Sequence, residues 1–181
     1  MLMKYVALLR GINVGGKNKV EMKKLTLAFE EAGMTSVTTY INSGNVVFVS
    51  TNDYKETIAA TLERVIFSHF DLQIHVLVYS SDEFLKIAQS VPESWSNDQA
   101  MKSDVLFLWQ DVDDETIVNR LPIKLDIDRV IYVPGAILWS VDKDMVVKSG
   151  IGKLVGTALY RRMTVRNVNT VRKISALLKS L

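Results

Sequence analysis

Lys4-Tyr5-Val6-Ala7-Leu8-Leu9-Arg10 carries only apolar and aromatic side chains between its two charged ends. The run is too short for a helix of ordinary length and reads as a strand. Alternate side chains of a strand share a face, so Tyr5, Ala7 and Leu9 line one side and Val6 and Leu8 the other. A strand apolar on both sides needs cover on both. That requirement excludes a sheet with one face left in water, and the second half of the chain is the expected cover for the second face.

The elements that follow continue the pattern. Met22, Leu25, Phe29 and Ala32 recur at helical spacing, and Gly33 is a natural stop. The β-branched runs 37–41 and 46–49 are separated by Asn42-Ser43-Gly44-Asn45, a hairpin signal. Asp53 and Glu56 are spaced to cap a helix carrying Ile58, Leu62, Val65 and Ile66. Residues 73–79 form the next strand, and a short helix from Asp82 is closed by Pro92. The order βαββαβ is the split βαβ, or ferredoxin-like, unit.

The order partly returns in the second half. Strand 104–109, helix 113–120, strands 127–133 and 136–141 across Pro134-Gly135, and a helix around 152–160 are expected. Thr164-Val165 and a final helix at about 169–178 follow. The expected fold class is α+β: two ferredoxin-like (split βαβ) subdomains packed into one compact body. The first spans residues 1–91 and the second, with a basic terminal helix, residues 92–181.

Composition narrows function mainly by exclusion. The 181 residues contain no cysteine, which removes disulfides, thiolate metal sites and cysteine catalysis. No apolar run approaches the ~20 residues of a membrane span, and no secretory leader is apparent, so a cytoplasmic protein is expected. His69 and His75 lack the spacing of a metal site, and Asp111-Val112-Asp113-Asp114-Glu115 lacks that of a calcium loop. Neither a metal nor a cofactor is therefore expected. Net charge is +2, from 22 basic and 20 acidic residues. Yet residues 145–181 carry eight Lys or Arg and no Asp or Glu, a distribution suited to an anionic partner or to an acidic body of the protein itself.

Three polar stretches stand out against this frame. Arg10-Gly11-Ile12-Asn13-Val14-Gly15-Gly16-Lys17-Asn18-Lys19 leaves the first strand and precedes the first helix. Its glycines let backbone N–H groups approach a ligand, and a helix N-terminus attracts an anion. It matches neither GxxxxGK[ST] nor GxGxxG. The Asn42–Asn45 turn and Thr164-Val165-Arg166-Asn167-Val168-Asn169-Thr170 are its expected partners, with Asn169 or Thr170 as a helix cap.

The expected ligand-binding residues divide by chemistry. Arg10, Lys17 and Arg166 would pair with phosphate or carboxylate. Gly15 and Gly16 would supply close backbone. Asn13, Asn42, Ser43, Asn45 and Asn167 would orient the ligand. No catalytic residues are assigned, because no triad, metal set or carboxylate pair is apparent. Binding of a small anion, binding of nucleic acid through the basic tail, and docking of a protein partner remain open alternatives.

Together the three stretches resemble the family catalogued as domain of unknown function 1697. The segments 5–18, 39–48 and 166–171 are similar to its motifs, with Val168 where the family usually has Trp. The resemblance implies an α+β protein with ferredoxin-like subdomains and no established activity.

Overall fold

The structure, a computed structural model, describes residues 2–181. Its contacts divide the chain into two units. One runs through Phe84 and includes Ile174–Leu181, and the other is Leu85–Lys173. Sequence reading set the division between residues 91 and 92.

In the first unit β1 (Met3–Leu9), β2 (Thr35–Tyr40), β3 (Asn45–Ser50) and β4 (Val76–Ser80) form an antiparallel sheet of order β2-β3-β1-β4. The register places Tyr5 opposite Phe48 and Ser80, and Ala7 opposite Val46 and Val78. Tyr5, Ala7 and Leu9 therefore share a face with Val46 and Phe48. Leu25 and Phe29 of α1 (Met22–Glu31) and Ile58, Leu62 and Ile66 of α2 (Lys55–Phe70) complete this core. Phe48 stacks on Tyr5 at 5.8 Å between centroids and meets the edge of Phe29 at 5.7 Å. On the other face Val6 and Leu8 are fully buried, as the double-sided pattern requires.

The helix ends differ in detail from expectation. Asp53 does not cap α2: Tyr54 precedes the helix, and no side chain bonds the free N–H groups there. Asn52 Oδ1 accepts from the Tyr54 N–H at 2.9 Å instead. Ser80, rather than Asp82, starts α3 (Ser81–Ser90). The Glu83 N–H donates to Ser80 Oγ at 3.3 Å, and Glu83 Oε2 accepts from the Ser80 N–H at 2.8 Å, a reciprocal capping box.

In the second unit β5 (Met101–Leu108), β6 (Arg129–Val133), β7 (Ala136–Asp142) and β8 (Met163–Asn167) repeat the arrangement with order β6-β7-β5-β8. The strand expected around Thr164-Val165 is β8, which pairs with β5. The connections depart from the simple unit. The helix expected at 113–120 is a 3-10 segment, Glu115–Arg120, stopped before Pro122. Proline disfavours α-helical backbone in the residue before it. The helix expected around 152–160 is only α4 (Ile151–Leu154), followed by an irregular stretch and a 3-10 turn, Tyr160–Arg162. Gly156 has φ +86°, which breaks helical continuity. Leu106, Ile137, Trp139, Leu154 and Met163 are central to the core on this side of the sheet.

Asp128 ties these irregular connections together. Its Oδ1 accepts from Trp139 Nε1 at 3.1 Å and Ser149 Oγ at 2.5 Å. Its Oδ2 accepts from the N–H groups of Lys124 and Gly150, both at 2.9 Å. Burial pushes the carboxyl up, but the donors from Ser149, the two backbone groups and Trp139 outweigh it and hold Asp128 below its ordinary range. A Cβ on Gly150 would collide with the Pro122 carbonyl, so that contact admits only glycine.

The last helix, α5 (Val168–Ser180), buries Val168, Val171, Ile174 and Leu178 along one stripe. Val168 is fully buried, so this position packs in a core. Asn167, rather than Asn169 or Thr170, caps the helix: its Oδ1 accepts from the Thr170 N–H at 3.0 Å.

Replacing Asp128 by Asn turns one acceptor oxygen into a donor facing donors. We expect Asp128→Asn to lose about 2–4 kcal/mol at pH 7 in urea unfolding. Because the folded carboxyl titrates below its unfolded value, its contribution is complete above the unfolded range and disappears as pH falls through the folded pKa. The gap between wild type and variant should therefore shrink under acid, and a gap that stays constant down to pH 2 would refute this account.

Candidate functional site

The first loop folds as a miniature hairpin. Gly15 (φ +56°) and Gly16 (φ +75°) form its turn, with both central residues in left-handed backbone as a type I′ turn demands. The Lys17 N–H donates to Val14 O, and the Asn13 N–H to Asn18 O, both at 3.0 Å. Asn18 Nδ2 returns to Gly11 O at 2.9 Å. Among the described residues the N–H groups of Gly15 and Gly16 have no hydrogen-bond partner.

Asn13 anchors this hairpin to the rest of the unit. Its Nδ2 donates to Val20 O at 3.0 Å and to Asn42 O at 2.8 Å, and its Oδ1 accepts from the Val20 N–H at 2.8 Å. The loop and the second turn are thus joined through one side chain, itself at φ +53°. Beneath them Leu9 N–H donates to Gly44 O at 2.8 Å. A Cβ on Gly44 would stand 2.6 Å from Leu9 Cβ, so the turn approaches β1 too closely for any other residue. Ile41 in the same turn has φ +50°, a strained conformation for a β-branched side chain.

A solvent-open cleft of about 510 Å³ lies beside the hairpin, lined by Asn13, Gly16, Lys19, Val20, Glu21, Met22 and Asn42. The loop does not run straight from its glycines into α1, because Lys17 to Glu21 intervene. The start of the helix nevertheless borders the cleft. Glu21 occupies the cap position without a side-chain capping bond, and the first turn holds no acidic residue. From Lys17 to Lys24 there are four lysines and one glutamate. None of the four makes an ion pair or hydrogen bond through its ammonium group among the described residues.

Of the residues expected to bind ligand, Asn13, Gly16 and Asn42 line the cleft. Gly15 and Lys17 belong to the exposed hairpin. Arg10 is half-buried at the end of β1, where its N–H donates to His75 O at 3.0 Å. Asn45 is buried, and its Nδ2 donates to Ser43 Oγ at 2.8 Å and Tyr40 O at 3.1 Å. Lys19, Val20, Glu21 and Met22 complete the lining but were not selected as ligand-binding residues. Their signal was position: they lead directly into the first amphipathic helix.

Arg166 and Asn167 lie in the second unit. Arg166 is buried, and its Nη1 donates to Thr164 Oγ1 at 3.0 Å and Val165 O at 2.8 Å. Burial pushes its guanidinium down to about 10. Other tail cations are also engaged. Arg162 makes a bidentate pair with Asp111 and lies 5.7 Å from the Trp109 ring centre. Arg172 Nη2 donates to Trp95 O at 2.7 Å. The acidic run is likewise structural: Asp113 Oδ1 accepts from Tyr132 Oη and the Gly135 N–H at 2.9 Å, and Asp114 caps the Thr116 N–H at 2.8 Å. No group of three or more His, Asp or Glu suited to a metal occurs among the described residues. No described helix is long and apolar enough to cross a membrane.

Two four-stranded antiparallel sheets with ferredoxin-like strand order define an α+β protein whose first loop, second turn and first helix border one cleft. The family described as "Protein of unknown function (DUF1697)" matches residues 2–139, and the chain belongs to that family. The chain is similar to a solved structure described as the conserved bacterial protein SP0830 from Streptococcus pneumoniae. Identity is 32%, with a TM-score of 0.83 over 98% of this chain and 99% of that one. No curated protein matches the chain.

Asn13→Ala should cost about 3 kcal/mol, since it removes three hydrogen bonds and places a Cβ-bearing residue without local compensation in left-handed backbone. Asn13→Gly keeps the backbone comfortable and should recover about 1 kcal/mol of that loss. Equal stability of the two variants in urea titrations would show that the backbone conformation contributes nothing.

Proposed function

We propose that the cleft at the start of α1 binds a small anion bearing phosphate or carboxylate. The observation that carries this reading is an uncapped helix N-terminus opening on the cleft beside Lys19. The first N–H groups of a helix have no partner within it, and their dipoles favour negative charge. In many proteins an acidic or hydroxyl side chain answers that need. Here Lys19, whose ammonium group has no partner among the described residues, lines the cleft together with Glu21, the one opposing charge between Lys17 and Lys24. The reading rests on the first unit alone. The cytoplasm is the location that accompanies this proposal.

Thermal shift with inorganic phosphate and with a small carboxylate at constant ionic strength tests the reading. An anion at about 100 times its dissociation constant adds ~2.7 kcal/mol, a rise on the order of 5–10 °C for a chain of this size. Lys19→Glu should weaken the anion at least tenfold and leave the midpoint without ligand nearly unchanged. The proposal falls if neither anion stabilises the protein, or if Lys19→Glu binds as tightly as wild type.

A further inference from the structure

The volume of the cleft and two features of its wall exceed what a bare ion needs. About 510 Å³ lies within the range of roughly 300–1,000 Å³ typical of sites for small organic molecules. An anion at the start of α1 accounts for Lys19 and the helix N–H groups. It leaves Met22 and Asn42 without a role.

Met22 is half-buried and borders the cleft next to the buried Val20. Its unbranched thioether adapts to irregular partners and makes favourable contacts with aromatic rings. Asn42 is exposed, and its backbone carbonyl is pinned by Asn13 Nδ2 at 2.8 Å. Its side-chain carboxamide makes no hydrogen bond among the described residues. A carboxamide presents a donor and an acceptor side by side. That pair matches a donor–acceptor edge on a heteroaromatic ring, as in the pairing of asparagine with adenine. One cleft therefore offers a seat for an anion, an apolar adaptable wall and a carboxamide edge.

We propose that the cleft binds a nucleotide, with its phosphate at the start of α1 and Lys19, its base against Met22, and the base edge on Asn42. This inference rests on the anion reading above. A sugar phosphate would use Lys19 and offer hydroxyls to Asn42, but it has no aromatic ring to set against Met22. An aliphatic carboxylate would use Met22 and Lys19 but offer nothing to the carboxamide. A nucleotide engages all three.

Calorimetric titration of the full chain with inorganic phosphate, ribose 5-phosphate and adenosine 5′-monophosphate separates the possibilities. The nucleotide should bind at least tenfold more tightly than either other ligand. Asn42→Ala should lose about tenfold of the nucleotide affinity, the scale of one bidentate amide contact. It should leave phosphate binding and the unfolding midpoint unchanged, since the side chain holds nothing in the protein. Lys19→Ala should weaken all three ligands. A short oligoadenylate with a 5′-phosphate distinguishes the source of the nucleotide: affinity above that of the monophosphate, still lost in Asn42→Ala, assigns the same seat to a strand end and supports the proposal. If inorganic phosphate or ribose 5-phosphate matches the nucleotide, or Asn42→Ala changes nothing, the nucleotide assignment is overturned and the anion reading stands. If none of the ligands binds, both are overturned.

Discussion

β1 is hydrogen-bonded along both edges, to β3 and to β4, and its side chains from Tyr5 to Leu9 are buried on both faces. Everything in the first unit is placed relative to it. Leu9 closes the strand with an N–H bond to Gly44, and the Arg10 N–H bonds to His75. The chain must therefore leave the sheet at one spot, under the β2–β3 turn. The loop that follows cannot drift, because its exit is held by strand pairing and its body by Asn13. A polar hairpin, a tight turn and a helix start meet at one cleft because an apolar strand ends where it does.

The polar residues of that region divide between holding the fold and facing solvent. Asn13 and Asn45 use their amides on backbone and side-chain partners within the unit. Asn42 instead gives its backbone carbonyl to Asn13, and its carboxamide makes no hydrogen bond among the described residues. The same division applies to the tail. Asn167 caps α5, Arg162 pairs with Asp111, and Arg172 holds a carbonyl, whereas Lys148, Lys153 and Lys173 stay exposed. A basic stretch in a sequence is thus a mixture of structural and solvent-facing groups, separable only once each partner is known.

The second unit shows how one strand order tolerates different connections. Its sheet has the order of the first, yet short 3-10 segments and one turn of α-helix replace the long helices. What substitutes for helical regularity is the Asp128 carboxylate. It collects the indole of Trp139, the hydroxyl of Ser149 and two backbone N–H groups in one buried node. Four donors on one anion join the segment at Lys124 and the start of α4 to Trp139 of β7.

The sequence by itself determined the strands, the first helices, both hairpin turns and the order that makes the first half a split βαβ unit, with a partial return of that order in the second. Those features follow from periodicity and from glycine and proline chemistry, which act over a few residues. It also marked the first loop and the Asn42 turn as polar stretches beyond the needs of folding. Tertiary structure decided which atoms of those stretches remain available. The amide of Asn13 turned inward because Val20 and the Asn42 carbonyl lie within its reach, and Lys19 and Met22 came to the cleft because α1 begins there. It decided as well that Asn167 caps α5 and that residues 113–120 wind as a 3-10 segment. These outcomes depend on partners distant along the chain, and no local pattern encodes the distance between two atoms that meet only when the backbone has folded.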